Sequence, residues 1–157
     1  MLARGLVTAV LVTVLDQLSK AAVVAHFSRG ALGDRETVTS FFNLALTYNR
    51  GISFGLFNGG AGLNALVFSL AAAAIVAVLI FWLSRVGSPF LAVAIGLIIG
   101  GAVGNVIDRI RFGAVVDFLD FHVGALHWPA FNVADSAICI GVAAMLLDGL
   151  LLRREAH

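Results

Sequence analysis

The sequence predicts an all-α membrane protein: four transmembrane helices, with a small β platform and a surface segment on the extracytoplasmic side. Three observations carry that expectation. Hydrophobic residues make up 61% of the 157 positions, only 12% are charged, and mean hydropathy is +1.02. Four separate segments approach the roughly 20 apolar residues needed to cross a bilayer. Between them lie two polar, aromatic-rich stretches too irregular to span. The chain is read as one membrane domain over residues 1–157, without repeats or low-complexity tails.

The first helix is expected at about 5–24, interrupted by Asp16 and Lys20. These charges fall where the apolar core of a cleavable signal peptide should continue, so the segment reads as a retained helix. Four residues apart, they share a helix face and can neutralise each other away from lipid. The pair is either purely structural or a lock positioning a site.

Residues 37–48 (TVTSFFNLALTY) are β-branched and aromatic. Leu44, Leu46 and Tyr48 alternate with Asn43, Ala45 and Thr47, the pattern of a half-buried strand. Gly51-Ile52-Ser53-Phe54-Gly55 reads as a further strand or turn, giving a platform over about 37–58. Asn49 and Gly51 suit a turn, since both residue types tolerate positive φ. Asn49 could also reach into a site as a hydrogen-bonding group.

The second helix is expected at about 63–83, within a stretch free of charge from Gly51 to Ser84. The third, about 90–107, follows Pro89, a residue suited to a helix start. Gly96, Gly100, Gly101 and Gly104 form a small-residue face that permits close packing. Packing does not account for Asn105 and Asp108-Arg109 at the helix end. Asp108 could pair with Arg109 or with another basic group.

Residues 109–130 read as a surface segment with Asp117, Asp120, His122, His127 and Trp128, its aromatics fitting an interfacial belt. The fourth helix is expected at about 133–152. Asn132 and Asp135 open it, three apart and able to face one cavity, although a first-turn aspartate is favoured by the helix dipole alone. Cys139 reads as a small buried hydrophobe.

A net charge of +1 without a Lys/Arg cluster argues against a nucleic-acid partner. No histidine pair has metal-ligand spacing, and neither a metal nor another cofactor is expected. With four helices both termini share one side. Short loops and few acids favour that side as cytoplasmic. Carboxylates near hydrocarbon are costly and usually functional. A proton or cation transporter would place them near the midplane; here Asp108, Asp117 and Asp135 gather at helix ends and in a loop. A non-catalytic scaffold would leave the Asn–Asp pairs idle.

Five ordered motifs now matter together: Asp16-Gln17-x-x-Lys20; Asn49-x-Gly51-x-x-Phe54-Gly55; Gly100-Gly101-x-x-Gly104-Asn105-x-x-Asp108-Arg109; Val116-Asp117-Phe118; and Trp128-Pro129-x-Phe131-Asn132-x-Ala134-Asp135-Ser136. Together they resemble lipoprotein signal peptidase (signal peptidase II) over nearly the whole chain. Ile52-Ser53 departs mildly, where that family often has two alanines. The resemblance implies an aspartic intramembrane endopeptidase with Asp117 and Asp135 as its catalytic dyad. Its substrates would be prolipoproteins whose signal-peptide cysteine bears diacylglyceryl, cleaved on the amino side of that cysteine. Asn105 and Asn132 would orient the dyad or the substrate backbone, and Asn49 and Gly51 would cover the peptide. Asp16, Lys20, Asp108 and Arg109 would form a supporting network, with Trp128 at the lipid interface. The protein is further expected to be a multi-pass, monomeric protein of the bacterial inner membrane with its site at the outer face.

Overall fold

The computed structural model describes residues 1–28, 35–51 and 61–152. Within them are four long helices: α1 (Leu2–Phe27), α2 (Ala61–Leu83), α3 (Pro89–Phe112) and α4 (Val133–Leu147), the last continuing as a π-helical turn, Asp148–Leu152. All four carry windows long and apolar enough to cross a membrane. The 24 residues of α3 span about 36 Å, more than the roughly 30 Å hydrocarbon core. The expected third helix therefore runs past Ile107 to Phe112, and the first runs from Leu2 to Phe27.

The ends of α3 follow from local chemistry. Ser88 caps the N-terminus by accepting the Leu91 N–H at 3.2 Å, and Pro89 occupies the first turn, where its missing donor costs nothing. Gly113 stops the helix in the left-handed region at φ +67° and donates its N–H to the Arg109 carbonyl.

Helix α3 is the centre of the bundle and packs on each of the other three. Its glycines make that possible. A Cβ at Gly100 would meet the Ala9 carbonyl and Val12 of α1, and one at Gly101 would meet Ala134 and Ile138 of α4. Over half of α3's spanning window is buried within the protein, whereas α2 is almost wholly exposed, as expected where lipid is the solvent. Cys139 corrects its expectation: it is exposed on α4, on the outward-facing side of the helix.

Four antiparallel strands form a sheet at one end of the bundle, in the order β1 (Arg35–Thr39), β2 (Phe42–Asn49), β3 (Val115–Val123), β4 (Leu126–His127). It is anchored on the last turns of α1 through Val23, Phe27, Leu46, Val116 and Phe118. Two expectations change here. The 109–130 segment is not a separate surface element: it starts as the end of α3 and then supplies half the sheet. Simple alternation along β2 also fails. Asn43 and Ala45 are buried together with Leu46, and Thr47 is exposed. The register slips between Leu44 and Thr47, a β-bulge that switches the strand's faces midway. The platform residues 52–58, including Phe54 and Gly55, lie outside the described residues.

Candidate active site

Asp117 and Asp135 come from different elements, β3 and the first turn of α4, and are joined by two asparagines. Asn132 caps α4: its Oδ1 accepts the backbone N–H of Asp135 at 2.8 Å. Its Nδ2 donates to Asp117 Oδ1 at 2.7 Å, with the Val116 carbonyl at 3.2 Å and Asn105 Oδ1 at 3.3 Å. Asn105, on α3, donates from Nδ2 to Asp135 Oδ1 at 2.8 Å. Asn132 itself is fully buried. The helix cap thus doubles as the bridge between the two carboxylates.

Asn49 approaches from β2. Its Oδ1 accepts the Gly51 N–H at 2.9 Å, which turns its Nδ2 onto Asp117 Oδ2, also at 2.9 Å. Gly51 needs its missing side chain twice over. Its φ of +83° is left-handed, and a Cβ would lie 2.6 Å from Phe68 Cε2. Phe68 also carries the Arg109 guanidinium 5.5 Å from its ring centroid. Asp135, Asp108 and Asp117 all attract that guanidinium.

Beneath the site, Lys20 ties the bundle together. Its Nζ lies 2.8 Å from both Asp16 Oδ2 and Asp108 Oδ2 and donates to Asn105 Oδ1 at 3.1 Å. Asp108 thus pairs across helices with Lys20, and its other bonds run to the Val116 N–H and Gln17. Asp16 accepts the Ala134 N–H at 2.9 Å, an otherwise orphaned donor at the start of α4. A buried charge is tolerable when paired and hydrogen-bonded, and each of these is. Gln17, which no separate sequence argument had singled out, donates to both Asp16 and Asp108.

Burial pushes the Asp117 carboxyl up to about 6 from 3.8. The Asn49 hydrogen bond opposes this, the negative charge of Asp135 adds to it, and Asn132 and Lys20 pull back. Asp120, three residues along β3 and equally buried, behaves oppositely. Burial again resists ionisation, but the Asn43 and His127 hydrogen bonds and the Arg35 charge outweigh it and hold Asp120 below the ordinary carboxylate value. Of these two β3 carboxylates, Asp117 is the one poised to exchange a proton near neutrality. Among the described residues no cluster of three or more His, Cys, Asp or Glu could hold a metal ion.

Trp128 is not gathered into this constellation. It is 70% exposed at the β3–β4 hairpin, beside an apolar pocket of about 420 Å³ shared with Phe41, Phe121, Val123 and Leu126.

A family model described as signal peptidase (SPase) II matches residues 8–151. The chain belongs to the signal peptidase II family. Curated lipoprotein signal peptidases agree over their length. That of Burkholderia cenocepacia (strain HI2424) is 46% identical over 157 residues, covering 99% of this chain and 93% of the relative. That of Paraburkholderia phymatum is 47% identical with the same coverage. A bacterial membrane enzyme solved by the in meso method at 1.9 Å resolution shares the fold, with TM-score 0.80 and 31% identity, covering 94% of this chain and 92% of that one. A second such structure, at 2.3 Å, has TM-score 0.76 and 32% identity over 93% and 87% of the respective chains. Family membership and the four apolar spans make this a multi-pass membrane signal peptidase.

Proposed function

We propose that the protein removes signal peptides from diacylglyceryl-modified prolipoproteins, cleaving on the amino side of the lipidated cysteine with a water activated by Asp117 and Asp135. The observation that carries this is the asparagine bridge: Asn132 binds the Asp117 carboxylate and the Asp135 backbone, and Asn105 binds the Asp135 carboxylate. It holds two carboxylates of unlike environment in one constellation at the end of the bundle.

The chemistry follows from a shared proton. Two neighbouring carboxylates do not both ionise cheaply, so one stays protonated near neutral pH. The ionised member takes a proton from water as the hydroxide equivalent attacks the scissile carbonyl carbon. The protonated member donates to the carbonyl oxygen, which becomes a hydroxyl on a tetrahedral carbon. Collapse breaks the C–N bond: the proton first taken from water passes to the leaving amine, and one hydroxyl returns its proton to the other aspartate as the new carboxyl forms. The pair titrates as one unit, so neither aspartate is given a fixed first role.

The neighbours fit this reading. Asn49 and Gly51 would cover the peptide from the sheet, and Arg109 would set the local potential. Asp16, Lys20 and Asp108 would hold the frame. A diacyl anchor keeps the scissile bond at the membrane surface, which suits a site at helix ends. Trp128 would rest at that interface. The same reading places the protein as a monomer in the inner membrane, with both termini cytoplasmic and the site outside.

The test compares purified protein on one precursor with and without diacylglyceryl. Cleavage of the lipidated form alone, with diacylglyceryl-cysteine as the new N-terminus, supports the proposal. Equal rates would remove the lipid from recognition, and a different new N-terminus would overturn the assigned bond.

A further inference from the structure

The sheet holds a second buried carboxylate that the chemistry above does not use. Asp120 of β3 is 2% exposed and takes one donor from each of the other three strands: Arg35 Nε of β1 at 3.0 Å, Asn43 Nδ2 of β2 at 2.9 Å, and His127 Nδ1 of β4 at 2.8 Å. One side chain therefore ties all four strands together.

Its partner Asn43 shares β2 with Asn49, which binds Asp117. Asn43 and Asn49 are six residues apart, so a regular strand would turn them to the same face. Asp117 and Asp120 are three apart, so a regular β3 turns them to opposite faces. A regular ladder could make only one of the two Asn–Asp pairs. The bulge resolves the conflict: Leu44 pairs with Leu119 and Thr47 with Asp117, so three steps along β2 (47 − 44) match two along β3 (119 − 117). A strand carrying such an extra residue can resorb it by a one-residue slip, which would reverse every side chain beyond it.

We propose that Asn43 and Asp120 are positioning residues: their cross-strand bond pins β2 on the far side of the bulge and thereby sets Asn49 against Asp117. The role concerns the same dyad and rests on that reading for its catalytic meaning. The geometry it predicts can be read without any cleavage.

The readout is the carboxyl titration of Asp117, followed by carbon NMR on aspartate-labelled protein in detergent and assigned by its loss in Asp117→Asn. Asn49→Ala removes a donor to the ionised form and is expected to raise the midpoint by about half a pH unit or more. Asn43→Leu is expected to raise it in the same direction, and to add nothing in the Asn49→Ala background, because both act through one bond. The exchange Asn43→Asp with Asp120→Asn, made together with Arg35→Ala because Arg35 Nε binds the same Asp120 Oδ2 that becomes an amide nitrogen, preserves the buried pair and is expected to restore the wild-type midpoint. It carries the test alone if Asn43→Leu does not fold. An unchanged midpoint in Asn43→Leu, equal changes in both backgrounds, or an exchange variant titrating like Asn49→Ala would overturn the proposal. Loss of the dyad reading would show separately, as cleavage by Asp117→Asn.

Discussion

Asn132 donates to the Asp117 carboxylate at 2.7 Å while its own oxygen caps Asp135, so the start of α4 and the end of the sheet are fixed by one side chain. Replacing it with alanine removes a helix cap, worth about 1 kcal/mol, and frees the carboxylate it orients. Misplacement of a reacting group by about 1 Å can cost 100-fold. Asn132→Ala is therefore expected to lower the cleavage rate by about that factor while leaving most of the protein folded, as checked by kcat beside a thermal melt in detergent.

Asp117 also leaves a mark on stability. Its folded-state value of about 6 lies above the ordinary 3.8. Burial thus favours the protonated form: the associated stability is fully present below about pH 4 and is lost as pH rises through 6. The loss is on the order of 3 kcal/mol. Asp117→Asn cannot titrate there, so wild type is expected to lose stability relative to it between pH 4 and 7. Paired melts across that window check the sign.

Much of this site was legible from spacing. The i, i+3 pairs Asn105/Asp108 and Asn132/Asp135 and the i, i+4 pair Asp16/Lys20 each share a helix face, and all six residues enter the network. Which residue bonds to which was not legible, because the partners lie on other elements: Asn105 binds Asp135, and Asp108 binds Lys20. The strand β3 was missed for a related reason. Its two aspartates and one histidine obscure a half-buried pattern, and the donors that make Asp120 acceptable inside arrive from three other strands. The bulge in β2 has no local signature, so the alternation of residues 43–48 pointed Asn43 and Ala45 the wrong way.

Lys20 bridges two buried carboxylates at 2.8 Å each. Removing one partner of a buried ion pair costs about 3–5 kcal/mol, because the charge left behind is uncompensated. Lys20→Met is expected to give little folded protein, a deficit that Asp16→Asn with Asp108→Asn in the same chain should partly relieve. The measurement is the folded fraction by size-exclusion chromatography in detergent.

Gly104 lies against the same carboxylate: a Cβ there would be 2.5 Å from Asp16 Oδ2. Gly104→Ala must displace Asp16 from Lys20 and from the Ala134 N–H that positions α4. The expected result is a lower melting temperature and a larger loss of activity than from alanine at Gly87, where a Cβ would meet nothing within 4 Å and φ is not left-handed.

Trp128 and Trp82 are the only tryptophans. In a Trp82→Phe background the fluorescence of Trp128 reports on the hairpin alone. At the interface it should be quenched by lipids brominated near the headgroup more than by those brominated near the chain end. Quenching by aqueous acrylamide alone would place the hairpin in water.

The central claim is that Asp117 and Asp135 work as one unit. Its most direct test is cleavage of a diacylglyceryl prolipoprotein by Asp117→Asn and Asp135→Asn, each purified and shown to be folded. The account predicts that both lose cleavage entirely while still binding the precursor. Near wild-type cleavage by either folded variant would contradict it.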